Sequence, residues 1–211
     1  IPCAGLAVML VRNPNSVNPF EPVRDEMLMR AKVPMTKEEV RWVSVARLGV
    51  QPGDTVWDIG AGTGAVTFEL ARKAMDGAVF AVERNAEAVE LIAQNRQKLG
   101  GFNVHIVPGH APEVLADLPK PDCVFVGGSG GNMREIIETA LMKNPKARIV
   151  VNAIALETLQ ETQRLFAEFG LQQVEITQLS AARGKSIGCY TMMTANNPVF
   201  ILSGKGAKYG E

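Results

Sequence analysis

The sequence predicts an open, mostly parallel α/β sheet with helices on both faces, and three observations predict it. Short apolar segments alternate with amphipathic helical ones from residue 55 to residue 170. The apolar segments are hydrophobic throughout rather than at every second position, which fits strands covered on both sides. Beyond residue 170 the alternation stops. Two strand-like segments follow with no helix that fits between them, so the closing pair is expected to be antiparallel. The 211 residues are 46% hydrophobic and 21% charged, enough for one domain with a sizeable core and incompatible with a disordered or fibrous chain.

The elements follow in order. Residues 12–34 read as a connecting segment, because Asn13-Pro14-Asn15-Ser16-Val17-Asn18-Pro19-Phe20-Glu21-Pro22 is dense in turn residues. Thr36-Lys37-Glu38-Glu39 reads as a capping box, with Thr36 at the N-cap and Glu39 reaching back, and opens a helix to about Leu48. Seven strands are expected: Thr55–Ile59, Ala78–Glu83, Val104–Val107, Asp122–Val126, Arg148–Val151, Val174–Leu179 and Val199–Leu202. Helices fill the intervals. One runs from the glycine turn to about Ala74, and one is capped by Asn85 and carries Val89, Ile92, Ala93 and Leu99. A short one covers Pro112–Leu118, one carries Met133, Ile136, Ile137, Ala140 and Leu141, and one ends at Gly170.

Lys plus Arg and Asp plus Glu are 22 each, so the chain is formally neutral and lacks the bulk charge of a non-specific nucleic-acid binder. Cys3, Cys123 and Cys189 are odd in number and widely spaced, with no C-x-x-C. Neither a disulfide framework nor a structural metal site is expected, and a reducing, cytoplasmic compartment is. No apolar run reaches the roughly 20 residues of a membrane span. The apolar start, Ile1 to Val11, has no basic region ahead of it and no initiator Met, so it reads as cut from a longer chain and not as a signal peptide.

The chemistry concentrates at the first turn, Asp58-Ile59-Gly60-Ala61-Gly62-Thr63-Gly64-Ala65. In parallel sheets ligands bind at the carboxyl ends of the strands. Glycines permit close backbone approach there, and the following helix offers free N–H groups. Glu83, closing the second strand, is placed to accept both hydroxyl hydrogens of a ribose. Gly60-x-Gly62-x-x-Ala65 alone satisfies a loose dinucleotide fingerprint. Asp58, two residues before the first glycine, tips the reading. A carboxylate there suits the amino group and sulfonium of S-adenosylmethionine better than a pyrophosphate. Asp58 is also able to cap the turn.

Trp57-Asp58-Ile59-Gly60-Ala61-Gly62-Thr63-Gly64 resembles motif I of class I S-adenosylmethionine-dependent methyltransferases. Together with Pro34–Arg41, Val126-Gly127-Gly128-Ser129-Gly130-Gly131 and Ala182-Arg183-Gly184-Lys185, it resembles the decarboxylating precorrin methyltransferases of cobalamin synthesis, from about Val23 to Leu202. The resemblance implies methylation of carbon 15 of a precorrin and loss of carbon dioxide from its ring C acetate. It implies a Rossmann-like sheet of seven strands and a homotetramer. It implies that Gly60, Ala61, Gly62, Thr63 and Gly64 wrap the methionine part of S-adenosylmethionine, that Glu83 holds the ribose, and that Thr36 reaches the cofactor from above. Gly109, His110 and Ala111 would border the adenine, although the common pattern has an acid at the place of His110. Residues 1–22 would be the tail of a fused methyltransferase acting on carbon 5, or an ordinary N-terminal arm, with residues 23–211 the methyltransferase domain.

For the substrate, Gly127, Gly128, Ser129 and Gly130 leave a side-chain-poor opening at the end of the fourth strand, suited to a flat, bulky acceptor. The Asn/Asp-Pro-Pro-aromatic motif of amino-methyltransferases is absent there. A precorrin carries many carboxylates, so cations are expected at the mouth: Arg183 and Lys185 first, Arg41 and Arg134 after them. Asn152 and Glu157 are further candidates. Methyl transfer from a sulfonium needs alignment more than a protein nucleophile, so no catalytic residue is assigned. His110 and Tyr190 are the available proton donors, His105 reads as structural, and Met192 and Met193 as packing residues or part of a substrate-facing loop. Another methyltransferase of this fold, for example one acting on tRNA, a nicotinamide-dependent oxidoreductase and a non-catalytic nucleotide-binding module stay open as alternatives.

Overall fold

The computed structural model describes residues 8–10 and 21–207. The expectation of a fused tail concerns residues that lie mostly outside these. Five helices alternate with the strands: α1 (Glu38–Leu48), α2 (Ala65–Lys73), α3 (Ala86–Leu99), α4 (Met133–Lys143) and α5 (Leu156–Glu168). The main-sheet strands are β1 (Thr55–Ile59), β2 (Ala78–Glu83), β3 (Val104–Pro108), β4 (Cys123–Val126), β5 (Arg148–Ala153), β6 (Gln172–Leu179) and, last in the chain, β9 (Val199–Lys205). The order is β3-β2-β1-β4-β5-β9-β6. The first five strands are mutually parallel, and β9 runs antiparallel between β5 and β6.

Successive residues of a strand face opposite ways, and the core divides accordingly. Val56, Val79, Ala81, Phe125 and Val150 pack under α1, α2 and α3. Trp57, Val82, Val124, Val126 and Val151 pack under α4, α5 and the 3₁₀ turn Glu113–Asp117. Asp58 and Asn152 are two residues on from Val56 and Val150, so both belong to the α1/α2 face.

Two local expectations give way, and one element was not foreseen. The capping box is absent: the N-cap of α1 is Lys37, with no side-chain hydrogen bond. Glu39 is turned to Arg183 instead, and Thr36 gives only its carbonyl, to Arg41 Nη1 at 2.8 Å. The segment between β6 and β9 is a separate two-stranded hairpin, β7 (Ala182–Ile187) and β8 (Tyr190–Ala195), turning at Gly188. Residues 21–37 are pinned to the body and are no free linker. Val23 N donates to Glu69 Oε1 at 2.7 Å, and the Asn95 amide accepts from Met29 N at 2.7 Å while donating to Met29 O and Thr63 O.

Candidate active site

The carboxyl ends of β1, β2, β4 and β5 open into a cleft of about 980 Å³. Its floor is the turn between β1 and α2. Gly60, Gly62 and Gly64 all have positive φ, which a glycine adopts without strain. A Cβ on Gly60 would meet Gly128 O at 2.7 Å, and one on Gly62 would meet Pro34 O at 2.9 Å. The glycines therefore admit two other backbone segments: the second glycine loop from one side and the residue 32–37 segment from above.

Asp58 is fully buried at the base of the cleft. Its Oδ2 accepts from Thr67 Oγ1 at 2.5 Å, while Oδ1 has no partner. Loss of water pushes its carboxyl up to about 7; the Thr67 hydroxyl opposes that rise and the nearby Glu83 adds to it. A buried carboxylate oxygen left bare is costly unless a ligand supplies a donor or a positive charge. Glu83 accepts from Gly62 N at 2.8 Å and from Asn85 N at 2.9 Å. It fixes the glycine turn and keeps lone pairs open to the cleft. Asn85 in turn caps α3, accepting from Ala88 N.

The structure brings together Thr36, Asp58, Gly60, Ala61, Gly62, Thr63, Glu83, Gly109, His110 and Ala111 around one side of the cleft. Gly64 sits just behind, as the N-cap of α2. Gly127, Gly128, Ser129, Gly130 and Asn152 line the same cleft toward β5. Asn152 accepts from Ser44 Oγ at 2.9 Å, and its Nδ2 is buried without a partner. His110 Nδ1 meets Glu113 at 2.9 Å, and its Nε2 lies 3.2 Å from the place of a Cβ on Gly130.

The basic candidates are placed elsewhere. Arg183 grips Glu39 with two hydrogen bonds of 2.6 and 2.7 Å and Asp25 with a third of 3.1 Å, and Lys185 lies farther out on the exposed hairpin. Neither lines the cleft. Arg41 is wholly buried, holding Asp25 and the carbonyls of Thr36 and Val23, and Arg134 pairs with Glu168. Glu157 is exposed on α5, outside the cleft. Tyr190, Met192 and Met193 are 73, 56 and 68% exposed on β8, so neither methionine is a core packing residue among the described residues, and neither lines the cleft. His105 is exposed and stacks on Phe80 at 4.8 Å.

The cleft's own cations are Lys32, Lys37 and Arg84. Sequence reasoning missed them because Lys32 lay in the expected linker, Lys37 was read only as part of a helix cap, and Arg84 stood behind the conspicuous Glu83. Among the described residues no group of three or more His, Cys, Asp or Glu is placed to hold a metal, and no helix is long and apolar enough to cross a membrane.

Comparison with known proteins covers this architecture almost end to end. A probable cobalt-precorrin-6B C(15)-methyltransferase (decarboxylating) of Pyrobaculum calidifontis is 43% identical over 184 residues, 86% of this chain and 94% of that protein. The cobalt-precorrin-6B C(15)-methyltransferase (decarboxylating) of Salmonella typhimurium is 35% identical over 183 residues, 86% of this chain and 94% of its own. The crystal structure of a precorrin-6y C5,15-methyltransferase from Geobacter metallireducens superposes with a TM-score of 0.82 at 37% identity, covering 87% of this chain and 96% of that one. The shared fold is that of class I S-adenosylmethionine-dependent methyltransferases. A family model described as a precorrin methyltransferase domain matches residues 28–205, the stretch that builds both walls of the cleft, and the chain belongs to that family.

Proposed function

We propose that this chain methylates carbon 15 of a cobalt-precorrin with S-adenosylmethionine and removes the ring C acetate carboxyl as carbon dioxide, within cobalamin biosynthesis. The observation that carries the reading is the bare, buried Oδ1 of Asp58 inside a cleft whose relatives act on precorrins. The residues present fit S-adenosylmethionine. Asp58 offers the negative charge its amino group and sulfonium need, Glu83 offers acceptors for ribose hydroxyls, and Gly109, His110 and Ala111 frame the adenine side. Bound there, the cofactor supplies an electrophilic methyl group.

The chain's own residues align and enclose. Glu83 fixes the glycine turn through Gly62 N. The loop Gly127–Gly130 leaves room beside it for a flat macrocycle, and Asn152 presents an amide on the same sheet face as Asp58. Positioning with water excluded is the chief contribution such a site makes. Carbon dioxide leaves when its C–C bond breaks and the electron pair enters the conjugated macrocycle; a proton then returns to the carbon. The cations of the mouth, Lys32, Lys37 and Arg84, take substrate carboxylates in place of Arg183 and Lys185.

The hairpin β7–β8 is the surface through which the protein assembles as a homotetramer. Ile187, Tyr190 and Met192 share one face of it and are 52, 73 and 56% exposed. Exposed apolar patches of this kind mark interaction sites. The enzymatic reading is tested by incubating the protein with S-adenosylmethionine and cobalt-precorrin-6B and weighing the product. A gain of one CH2 and a loss of one CO2 is expected; an unchanged macrocycle contradicts the reading.

A further inference from the structure

An unbroken chain of hydrogen bonds runs from the hairpin root to the roof of the cleft. Arg183, on β7, places Nε and Nη2 on the two oxygens of Glu39 at 2.6 and 2.7 Å, and Nη1 on Asp25 Oδ2 at 3.1 Å. The Glu39 carboxyl is held well below the usual carboxylate range, chiefly by this hydrogen bonding from Arg183. Asp25 passes the connection on. Its Oδ1 accepts from Arg41 Nη1 at 3.2 Å, and its backbone N donates to Glu38 Oε2 at 3.0 Å. The same Arg41 Nη1 donates to the carbonyl of Thr36 at 2.8 Å, and Nη2 to that of Val23 at 2.5 Å. Thr36 lines the cleft, and Pro34, two residues before it, presses its carbonyl on Gly62. The roof segment is thus pinned at Thr36 by the guanidinium of Arg41, and the chain leading into it at Met29 by Asn95.

Burial divides the roles along this chain. Arg41 and Asp25 are 0 and 4% exposed at the side chain, whereas Arg183 is 38% exposed and reaches in from another element. Without Arg183, the buried Asp25 keeps one cation and Glu39 loses both its hydrogen bonds. A charged hydrogen-bond network loses geometry when a member is removed.

Resting on the S-adenosylmethionine reading of the cleft, we infer that Arg183 is a positioning residue for cofactor binding: acting through Asp25 and Arg41, it holds residues 34–37 down over the first glycine turn. It touches neither cofactor nor macrocycle. The fork geometry matters as well as the charge, because an ammonium cannot hold both oxygens of Glu39 and Asp25 at once.

The test titrates the full chain with S-adenosylhomocysteine by calorimetry and follows KM for each substrate. Arg183→Ala is expected to weaken the homocysteine compound about tenfold, the scale of one lost charged hydrogen bond. KM for S-adenosylmethionine should rise with it and KM for the macrocycle stay unchanged, with Arg183→Lys between wild type and Arg183→Ala. Should Arg183→Ala fail to fold, Glu39→Gln weakens the same fork from the other side and carries the same expectation. Unchanged affinity in a folded variant overturns the inference, as does a rise confined to KM for the macrocycle. A wild type that binds no S-adenosylhomocysteine overturns the reading of the cleft itself, and the inference with it.

Discussion

Asp58 shows how one buried atom ties sequence to chemistry. Its Oδ1 has no partner, and burial raises its carboxyl to about 7, far above the ordinary 3.8. A raised carboxyl favours the protonated form in the empty cleft. In the unliganded protein, then, this group's contribution to stability is full below its ordinary value and is lost as pH rises through about 7. A cationic ligand reverses the preference, because it binds the ionised form. Affinity for S-adenosylmethionine should therefore climb as pH rises through about 7 and level off roughly a unit above it, while Asp58→Asn should bind more weakly with a flat profile. Calorimetry across that range checks it; a wild-type profile as flat as that of the variant contradicts the role. Asp58 and Glu83 were legible in the sequence because their position relative to a glycine turn fixes where they go. Arg183 was not. An arginine near the end of a strand looks alike whether it meets a substrate carboxylate or Glu39, and only the fold brings together residues so far apart in the chain.

The elements divide in the same way. The buried strands were readable, apart from up to three residues at their ends, because burial on both faces leaves an apolar signature. The hairpin β7–β8 was not, because it is exposed along nearly its whole length and carries no alternation that a single chain could impose. In the proposed assembly its exposed apolar residues would gain a partner. Sedimentation of the wild type should accordingly give a tetramer, and Tyr190→Lys with Met192→Lys should shift it to smaller species without lowering the melting temperature of the subunit appreciably. A monomeric wild type, or a tetramer indifferent to both changes, removes the hairpin from the interface. The missing capping box has a comparable cause: Glu39 satisfies Arg183 rather than the helix N-terminus, a tertiary contact overriding a local motif.

At the scale of the whole molecule, the strand order places the ends of β1, β4 and β5 side by side, with the two glycine loops in contact at Gly60 and Gly128. Asp58 and Asn152 then face the same way from strands two places apart and line one cleft. The roof of residues 32–37 crosses above the first loop and supplies two of the cleft's cations. Two helix-covered cores, one on each sheet face, hold this arrangement rigid. On the proposed reading, the whole serves a pocket in which Glu83 clasps a sulfonium nucleoside and not a dinucleotide. Calorimetric titration with S-adenosylhomocysteine and, separately, with NADH tests that most directly. The account predicts saturable binding of the homocysteine compound, weakened by about 1–3 kcal/mol in Glu83→Ala, and no binding of NADH. Silence toward S-adenosylhomocysteine, or a pocket that takes NADH in its place, would contradict it.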